Sequence, residues 1–152
     1  MRKRTFSIQA AILGVGCWCG WSAQTVDPAG LELARDKKAL LAVVVGAEAP
    51  AAAKASAADL ALYLGRMSGA EFRVETGDGS AGIVVGRPAD FAKLPFAPQF
   101  GAGPFEREDY VLRSTDRGLF LLGASDLAVS HAVGTCSTAW ATGSFSPGRC
   151  GK

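Results

Sequence analysis

The sequence predicts an α+β domain of two layers, in which a mixed β-sheet of about five to six strands carries packed helices. Two observations lead to this prediction. Short runs of β-branched and other apolar residues recur along the chain, and one alanine-rich stretch has its apolar residues at helical spacing. Glycine and proline residues separate these segments, and their order, ββαββββα, favours a mixed sheet with helices on it.

The first predicted elements are a hairpin and a helix. The alternating stretch Leu31–Ala34 and the β-branched run Leu40–Val45 flank a charged turn, so the second strand of this hairpin is expected to be buried. Pro50 then opens a helix that extends to Ser68. Its apolar side contains Leu60, Leu64 and Met67, with Tyr63 beside them.

Two further strands are predicted after this helix. Phe72–Thr76 and the apolar run Ile83–Gly86 are expected to be strands, with a turn at Gly77-Asp78-Gly79 between them. A long connecting segment follows, which prolines and glycines interrupt between residues 95 and 104. We therefore expect an irregular loop there.

A second hairpin and a second helix complete the prediction. Tyr110–Arg113 and Leu119–Leu122 flank the turn 114–118. Ser125 or Asp126 is expected to cap a last helix, which continues through Val133.

Length and charge exclude two classes of function. A chain of 152 residues is too short for a (β/α)₈ barrel enzyme, which needs about 200 residues. The formal charge is +2, with 16 basic and 14 acidic residues, but five of the basic residues lie at positions 2–4, 149 and 152. The middle is therefore mildly acidic, and no nucleic-acid partner is expected because a phosphate backbone demands a basic face.

Residues 1–23 are predicted to be a secretory signal peptide. Arg2-Lys3-Arg4 precedes a mainly apolar run over residues 6–21 and the small pair Ser22-Ala23. The run is shorter than the roughly 20 residues that a spanning helix needs, so no stable membrane span is expected. These features predict an exported protein, periplasmic or extracellular. Gly14-Val15-Gly16-Cys17 is also a loose match to a lipoprotein signal, which is the alternative.

Residues 24–133 resemble a known module. The segments that carry the resemblance are residues 57–70, Gly82–Gly86, Asp109–Leu112 and Leu121–Ala124. In their order they are similar to the N-terminal domain of α-glucuronidases, which is related in fold to domain 2 of β-N-acetylhexosaminidases, the domain preceding the barrel. The same module stands at the front of large exported bacterial proteins.

The resemblance implies a non-catalytic accessory domain of an exported glycoside hydrolase that acts on plant xylan or a related polysaccharide. Its implied partner is the catalytic barrel of the intact parent protein, and the catalytic carboxylates would lie on that barrel. The alternative is a free-standing exported module that binds a polysaccharide or another partner. Exposed aromatic rings would favour this alternative, because sugars stack on them. The aromatic residues in predicted loops are Phe91, Phe96, Phe100 and Phe105.

Residues 134–152 depart from the family's pattern. Family members continue the last helix and add a Leu-Gly turn and an aromatic strand ending in Pro-Gly, whereas this stretch has no apolar period. Reading each codon one base early restores all of these features with ordinary GC-rich codons. We therefore predict a frameshift near Val133-Gly134 that makes the tail out of frame and truncates a longer protein. The alternative is a natural irregular tail with a disulfide between Cys136 and Cys150.

Several residues could bind a metal or act in acid/base catalysis, but for each of them a structural or solvent-exposed position is the preferred interpretation. His131 is the single histidine and has no second ligand at metal spacing, so a helix-face position is expected. Glu106, Glu108 and Asp109 could pair for acid/base work on a sugar, but a solvated edge beside Arg107 is expected.

Two further segments could bind a ligand but also fit ordinary turns or helix starts. The glycine-rich stretch Gly77–Gly82 lacks the lysine of a phosphate-binding loop and does not lead into a helix, so a turn is expected. Arg87 and Asp90 could touch a ligand at a sheet edge, although Arg87–Asp90 also fits a simple helix start. No catalytic, cofactor-binding or metal-binding residue is therefore predicted, and no cofactor.

Overall fold

The described part of the chain forms a five-stranded mixed sheet, a separate two-stranded hairpin and two α-helices. The computed structural model describes residues 31–101, 103 and 105–141. In chain order, the elements are β1 (Ala34–Arg35), β2 (Lys38–Ala39), β3 (Val43–Val45), α1 (Ala51–Ser68), β4 (Val74–Thr76), β5 (Gly82–Gly86), β6 (Tyr110–Thr115), β7 (Gly118–Gly123) and α2 (Asp126–Ala141).

The order of strands in the main sheet is β4-β3-β5-β7-β6. The first four of these run parallel, and β6 runs antiparallel to β7, with Tyr110 opposite Gly123 and Thr115 opposite Gly118. Both helices pack on one face of this sheet, and they contact each other through the hydroxyls of Ser56 and Ser130 at 3.1 Å. The predicted α+β class, a mixed sheet with helices on it, is confirmed.

Small and apolar side chains hold α1 against the sheet. Pro50 is the N-cap, and Gly69 ends the helix in the left-handed conformation, donating its N–H to the carbonyl of Gly65 at 2.8 Å. The fully or nearly buried apolar residues of the helix are Ala53, Ala57, Leu60, Ala61 and Leu64. Met67 and Tyr63 instead point outward and are each 47% exposed, because alanines rather than these larger residues fill the side that meets the sheet.

The second helix is longer than the sequence predicted. Ser125 accepts the N–H of Ala128 at 3.2 Å, as expected of a helix cap. The helix passes Val133 and ends at Ala141, and Cys136 is completely buried within the core. Beyond Val133 the helix packs on the core through Cys136 and Trp140, which lie at helical spacing, while most of the other residues there are small or polar. The predicted frameshift stays a prediction.

The first hairpin differs from its prediction. Its strands are β1 and β2, joined by Asp36 and Lys37, which both have positive φ. Of the predicted strand Leu40–Val45, only Val43–Val45 is a strand. Leu40 is half exposed, and Val43–Val45 leaves the hairpin to lie between β4 and β5. A β-branched strand of this kind is buried on both faces only in the interior of the larger sheet.

The segment between β4 and β5 is a crossover and not a hairpin turn. The two strands are parallel and lie on opposite sides of β3, so residues 77–81 must pass across that strand. They do so over Val44, on the face away from the helices: a Cβ on Gly77 would lie 2.8 Å from Cγ1 of Val44. The connection between two parallel strands must run back along the length of the strand. Five residues suffice here because β4 is only three residues long.

The long loop after β5 covers the second face of the sheet. Val84, Phe120 and Leu122 point to this face and are completely buried. The loop residues that cover them are Phe91, which is buried, and Leu94, Phe96 and Phe100, which are partly buried. The sheet therefore has an apolar layer on each side, one made by helices and one made by loop side chains.

Candidate functional site

The loops at the carboxyl ends of β5 and β7 enclose an open pocket. We call it the edge pocket; its volume is about 670 Å³, and it is lined by Arg87, Arg107, Glu108, Ala124, Ser125, Asp126 and Leu127. Parallel strands end at the same edge of a sheet, so the residues that follow Gly86 and Gly123 come together. Open α/β sheets bind ligands at this edge, which makes the edge pocket the candidate functional site.

Arg87 and Asp90 are tied to each other at one wall of the edge pocket. The Pro88–Asp90 turn, a short 3₁₀ helix, brings the Asp90 carboxylate back to Arg87. Oδ2 accepts the main-chain N–H of Arg87 at 3.0 Å, and Oδ1 accepts from Nη2 of the guanidinium at 2.8 Å. The Asp90 side chain is only 4% exposed, so this carboxylate is used for structure. These hydrogen bonds, together with the charge of Asp90, raise the pKa of Arg87 above its ordinary value.

Asp126 contributes a second carboxylate to the same guanidinium. Its Oδ1 lies 3.6 Å from Nε of Arg87, and this oxygen is shielded from solvent without a hydrogen-bond donor among the described residues. Asp126 also occupies the first turn of α2, where a negative charge is favourable next to the free N–H groups. Arg87 therefore bridges the 3₁₀ turn after β5 and the start of α2.

Ser125 joins the third side of the edge pocket to the same helix. Its Oγ donates to the carbonyl oxygen of Arg107 at 2.5 Å while it accepts the N–H of Ala128. The main-chain N–H of Ala124 donates to the carbonyl of Asp109 at 2.9 Å. The short 3₁₀ helix Glu106–Glu108 is thus fixed against the end of β7 and the beginning of α2.

The charges of the edge pocket compensate one another. Arg87 faces two carboxylates, and the exposed side chains of Arg107 and Glu108 complete the lining. Such a set can make ion pairs and hydrogen bonds with an incoming polar surface. Both oxygens of the Asp90 carboxylate already accept hydrogen bonds from Arg87.

The structure separates the residues that sequence reasoning had grouped as possible acids and bases. Glu106 accepts a hydrogen bond from the main-chain N–H of Gly103, and Asp109 is half-buried at the end of the 3₁₀ turn. Of this group, only Glu108 lines the edge pocket. His131 is exposed on α2, as expected of a helix-face histidine.

The segment Gly77–Gly82 forms no cradle. The Asp78 carboxylate accepts hydrogen bonds from the N–H and the Oγ of Ser80, at 3.1 and 2.7 Å. Its Oδ2 lies 3.4 Å from Nζ of Lys93, and the Asp78 carbonyl accepts the Lys93 N–H. These contacts fasten the crossover to the loop on the second face of the sheet.

The loop aromatics do not form a common exposed platform. Phe96 packs edge-on against Phe120, with ring centroids 5.4 Å apart, and the guanidinium of Arg113 lies 4.6 Å from the centre of its ring. Phe91 is buried, whereas Phe105 is 91% exposed. Phe105 directly precedes the Glu106–Glu108 turn, of which Arg107 and Glu108 line the edge pocket.

Within residues 31–101, 103 and 105–141, no cluster of three or more His, Cys, Asp or Glu side chains is arranged to hold a metal ion. None of the helices in those ranges is long and apolar enough to cross a membrane. The predicted signal peptide lies outside the described residues, as does Cys150, the proposed disulfide partner of Cys136.

The sequence pattern does not identify Arg107, Ser125 or Asp126 as site residues. It indicates Ser125 and Asp126 only as helix caps, and Arg107 only as a neighbour of acidic residues. All three residues lie next to the predicted ends of strands. This position in the sequence could have identified them, because the ends of parallel strands meet at one edge of the sheet.

No family model matches the chain, and no curated protein sequence matches it. A function must therefore be proposed from the residues and their contacts.

Proposed function

We propose that the chain is the non-catalytic N-terminal accessory domain of an exported carbohydrate-active enzyme. In this proposal the parent is a glycoside hydrolase of α-glucuronidase type, and the edge pocket packs against its catalytic barrel. The resemblance of residues 24–133 to such accessory domains supplies the family.

The observation that supports a packing role is the composition of the edge pocket. Arg87 is held by the carboxylates of Asp90 and Asp126, and Leu127 of the lining is 53% exposed. Phe105, two residues before Arg107 in the chain, is 91% exposed. Contacts between domains bury apolar groups and satisfy polar ones, and an exposed leucine beside paired polar groups fits such a contact. Leu127 and Phe105 would be covered in the intact parent.

The first test is the nucleotide sequence downstream of the Val133 codon. The proposal expects another reading frame that continues the domain and then encodes a barrel. An absence of coding potential in that frame would overturn it.

The second test measures the contact itself in the restored parent protein. Phe105→Ala and Leu127→Asp should lower the melting temperature of the barrel and weaken its activity on glucuronoxylan oligosaccharides. Tyr63→Ala is the matched control, because Tyr63 is also half exposed but lies on the outer side of α1. Equal effects of all three substitutions would argue against docking at the edge pocket.

A free-standing carbohydrate-binding module is the second candidate, and the exposed ring of Phe105 favours it. A single ring can stack on one sugar. Binding isotherms with xylan oligosaccharides and chitooligosaccharides distinguish the two functions. Millimolar or tighter binding that is lost in Phe105→Ala would favour the binding module over the accessory domain.

A further inference from the structure

The outer edge of β4 is open. This strand is the last of the main sheet, and all three of its residues, Val74, Glu75 and Thr76, are exposed. Among the described residues no strand pairs with that edge. An unpaired edge offers main-chain donors and acceptors to another strand.

The hydrogen bonds to β3 show which residues offer those groups. The Arg73 carbonyl accepts from the N–H of Val43, and the N–H of Gly77 donates to the carbonyl of Val45, each at 2.9 Å. Main-chain groups alternate in direction along a strand, so positions 73, 75 and 77 face β3. Val74 and Thr76 therefore direct their N–H and C=O groups outward.

The side chains beside those groups carry opposite charges. Arg73 and Glu75 are both exposed, and within the described ranges neither takes part in an ion pair. On the other face of the strand, Val74 is 41% exposed and Leu62 of α1 is 52% exposed. These two residues line an open groove of about 610 Å³ between α1 and β4.

We propose that β4 pairs with β4 of a second copy of this chain, antiparallel about a two-fold axis at Val74, so that the two sheets become continuous. In this register the outward groups of Val74 bond to the same residue of the second copy. Arg73 of each copy then lies opposite Glu75 of the other, at the closer, non-hydrogen-bonded positions.

Neighbouring registers lack this complementarity. A shift that places Val74 opposite Thr76 sets Glu75 against Glu75, and the opposite shift sets Arg73 against Arg73. Like charges directly opposite each other destabilise a pair of strands. The charges therefore select the pairing at Val74 among the registers that the main-chain bonds allow.

The other edge of the sheet lacks this self-complementary pattern. The only charged residue of β6 is Arg113, whose guanidinium lies over the ring of Phe96. A second copy could not offer it a carboxylate from the same strand. The edge of β4 is thus the better fit to a second copy of the chain.

Charge reversal tests the register. The purified chain is expected to sediment with about twice its mass of 15.7 kDa as its concentration rises. Arg73→Glu and Glu75→Arg should each raise the dissociation constant about tenfold or more, because two attractive pairs become repulsive. The double variant Arg73→Glu/Glu75→Arg restores opposite charges and should dimerise like the wild type.

A mixture gives the sharpest outcome. Arg73→Glu carries two acidic side chains on the strand and Glu75→Arg carries two basic ones. The two variants should therefore form a heterodimer when mixed, with a lower dissociation constant than either variant has for itself. Circular dichroism checks that each variant is folded. A wild-type chain that stays monomeric up to its solubility limit would overturn the proposal. So would association that is insensitive to all of these substitutions.

Discussion

Gly82 and Gly118 lie opposite each other in β5 and β7, and the Cβ that any other residue would place at position 118 lies 2.0 Å from the carbonyl oxygen of Gly82. Both glycines have positive φ, +99° and +148°. The two parallel strands therefore begin their pairing at a point where only hydrogen atoms fit between the chains.

Gly118→Ala is expected to destabilise the fold by about 2 kcal/mol or more, because it combines a main-chain clash with an unfavourable φ. Urea unfolding followed by circular dichroism measures this free energy. Gly134→Ala is the control: Gly134 lies in α2, and a Cβ there meets nothing within 4 Å. It should raise stability by about 1 kcal/mol, since alanine favours a helix. Equal midpoints for Gly118→Ala and the wild type would contradict the close approach of the strands.

Cys136 is expected to resist alkylation in the folded chain. Burial raises the pKa of its thiol to about 12, so the reactive thiolate is scarce at pH 8, and the sulfur is also inaccessible. Iodoacetamide labelling followed by peptide mass spectrometry should find this cysteine unmodified until denaturant is added. Rapid labelling under native conditions would show that α2 does not hold residues beyond Val133 against the core.

Ser125→Ala should lower the free energy of unfolding by about 1–2 kcal/mol, because the start of α2 loses its cap. Ser125→Asp separates the two bonds of this side chain. It retains an acceptor for the N–H of Ala128 but cannot donate to the carbonyl of Arg107. We expect Ser125→Asp to recover most of the stability in thermal melts. If it is as unstable as Ser125→Ala, the bond to Arg107 is the more important one.

Asp78 is expected to make stability depend on acidity. The hydrogen bonds from Ser80 hold the pKa of the Asp78 carboxyl below its ordinary value. A folded-state pKa below the unfolded one stabilises the fold above the unfolded pKa, near pH 4, and this contribution disappears as the pH falls through the folded pKa. The difference in melting temperature between wild type and Asp78→Asn should therefore shrink below about pH 4. A difference that stays constant on acidification below about pH 4 would contradict this contribution of Asp78.

The apolar pattern predicted most elements but not the path between them. Ile83–Val85 and Leu119–Leu122 were recognised because every residue is apolar, as in strands buried on both faces. The same pattern could not show that residues 77–81 cross over β3. A short glycine-rich link looks like a hairpin turn locally, and only the insertion of Val43–Val45 between its two strands makes it a crossover.

The loop phenylalanines illustrate the same limit. Phe91, Phe96 and Phe100 lie among prolines and glycines, which predicts a loop and leaves their exposure open. Their burial follows from Phe120 and Leu122, which present apolar surface on the second face of the sheet. Because this surface is unfavourable in water, the nearest long loop covers it.

The sequence by itself determined the class of fold, the helix at Pro50, the second hairpin and the cap of the last helix, because these depend on periodicity and on turn or capping residues close together in the chain. Tertiary structure alone decided the strand order, the continuation of α2 past Val133 and the assembly of the edge pocket. Arg107 and Ser125 are separated by the whole second hairpin, yet they share a hydrogen bond at one end of the sheet. Such contacts form because the apolar strands pack side by side in the order that buries both of their faces. That order depends on interactions between distant segments, so no single segment of the sequence determines it.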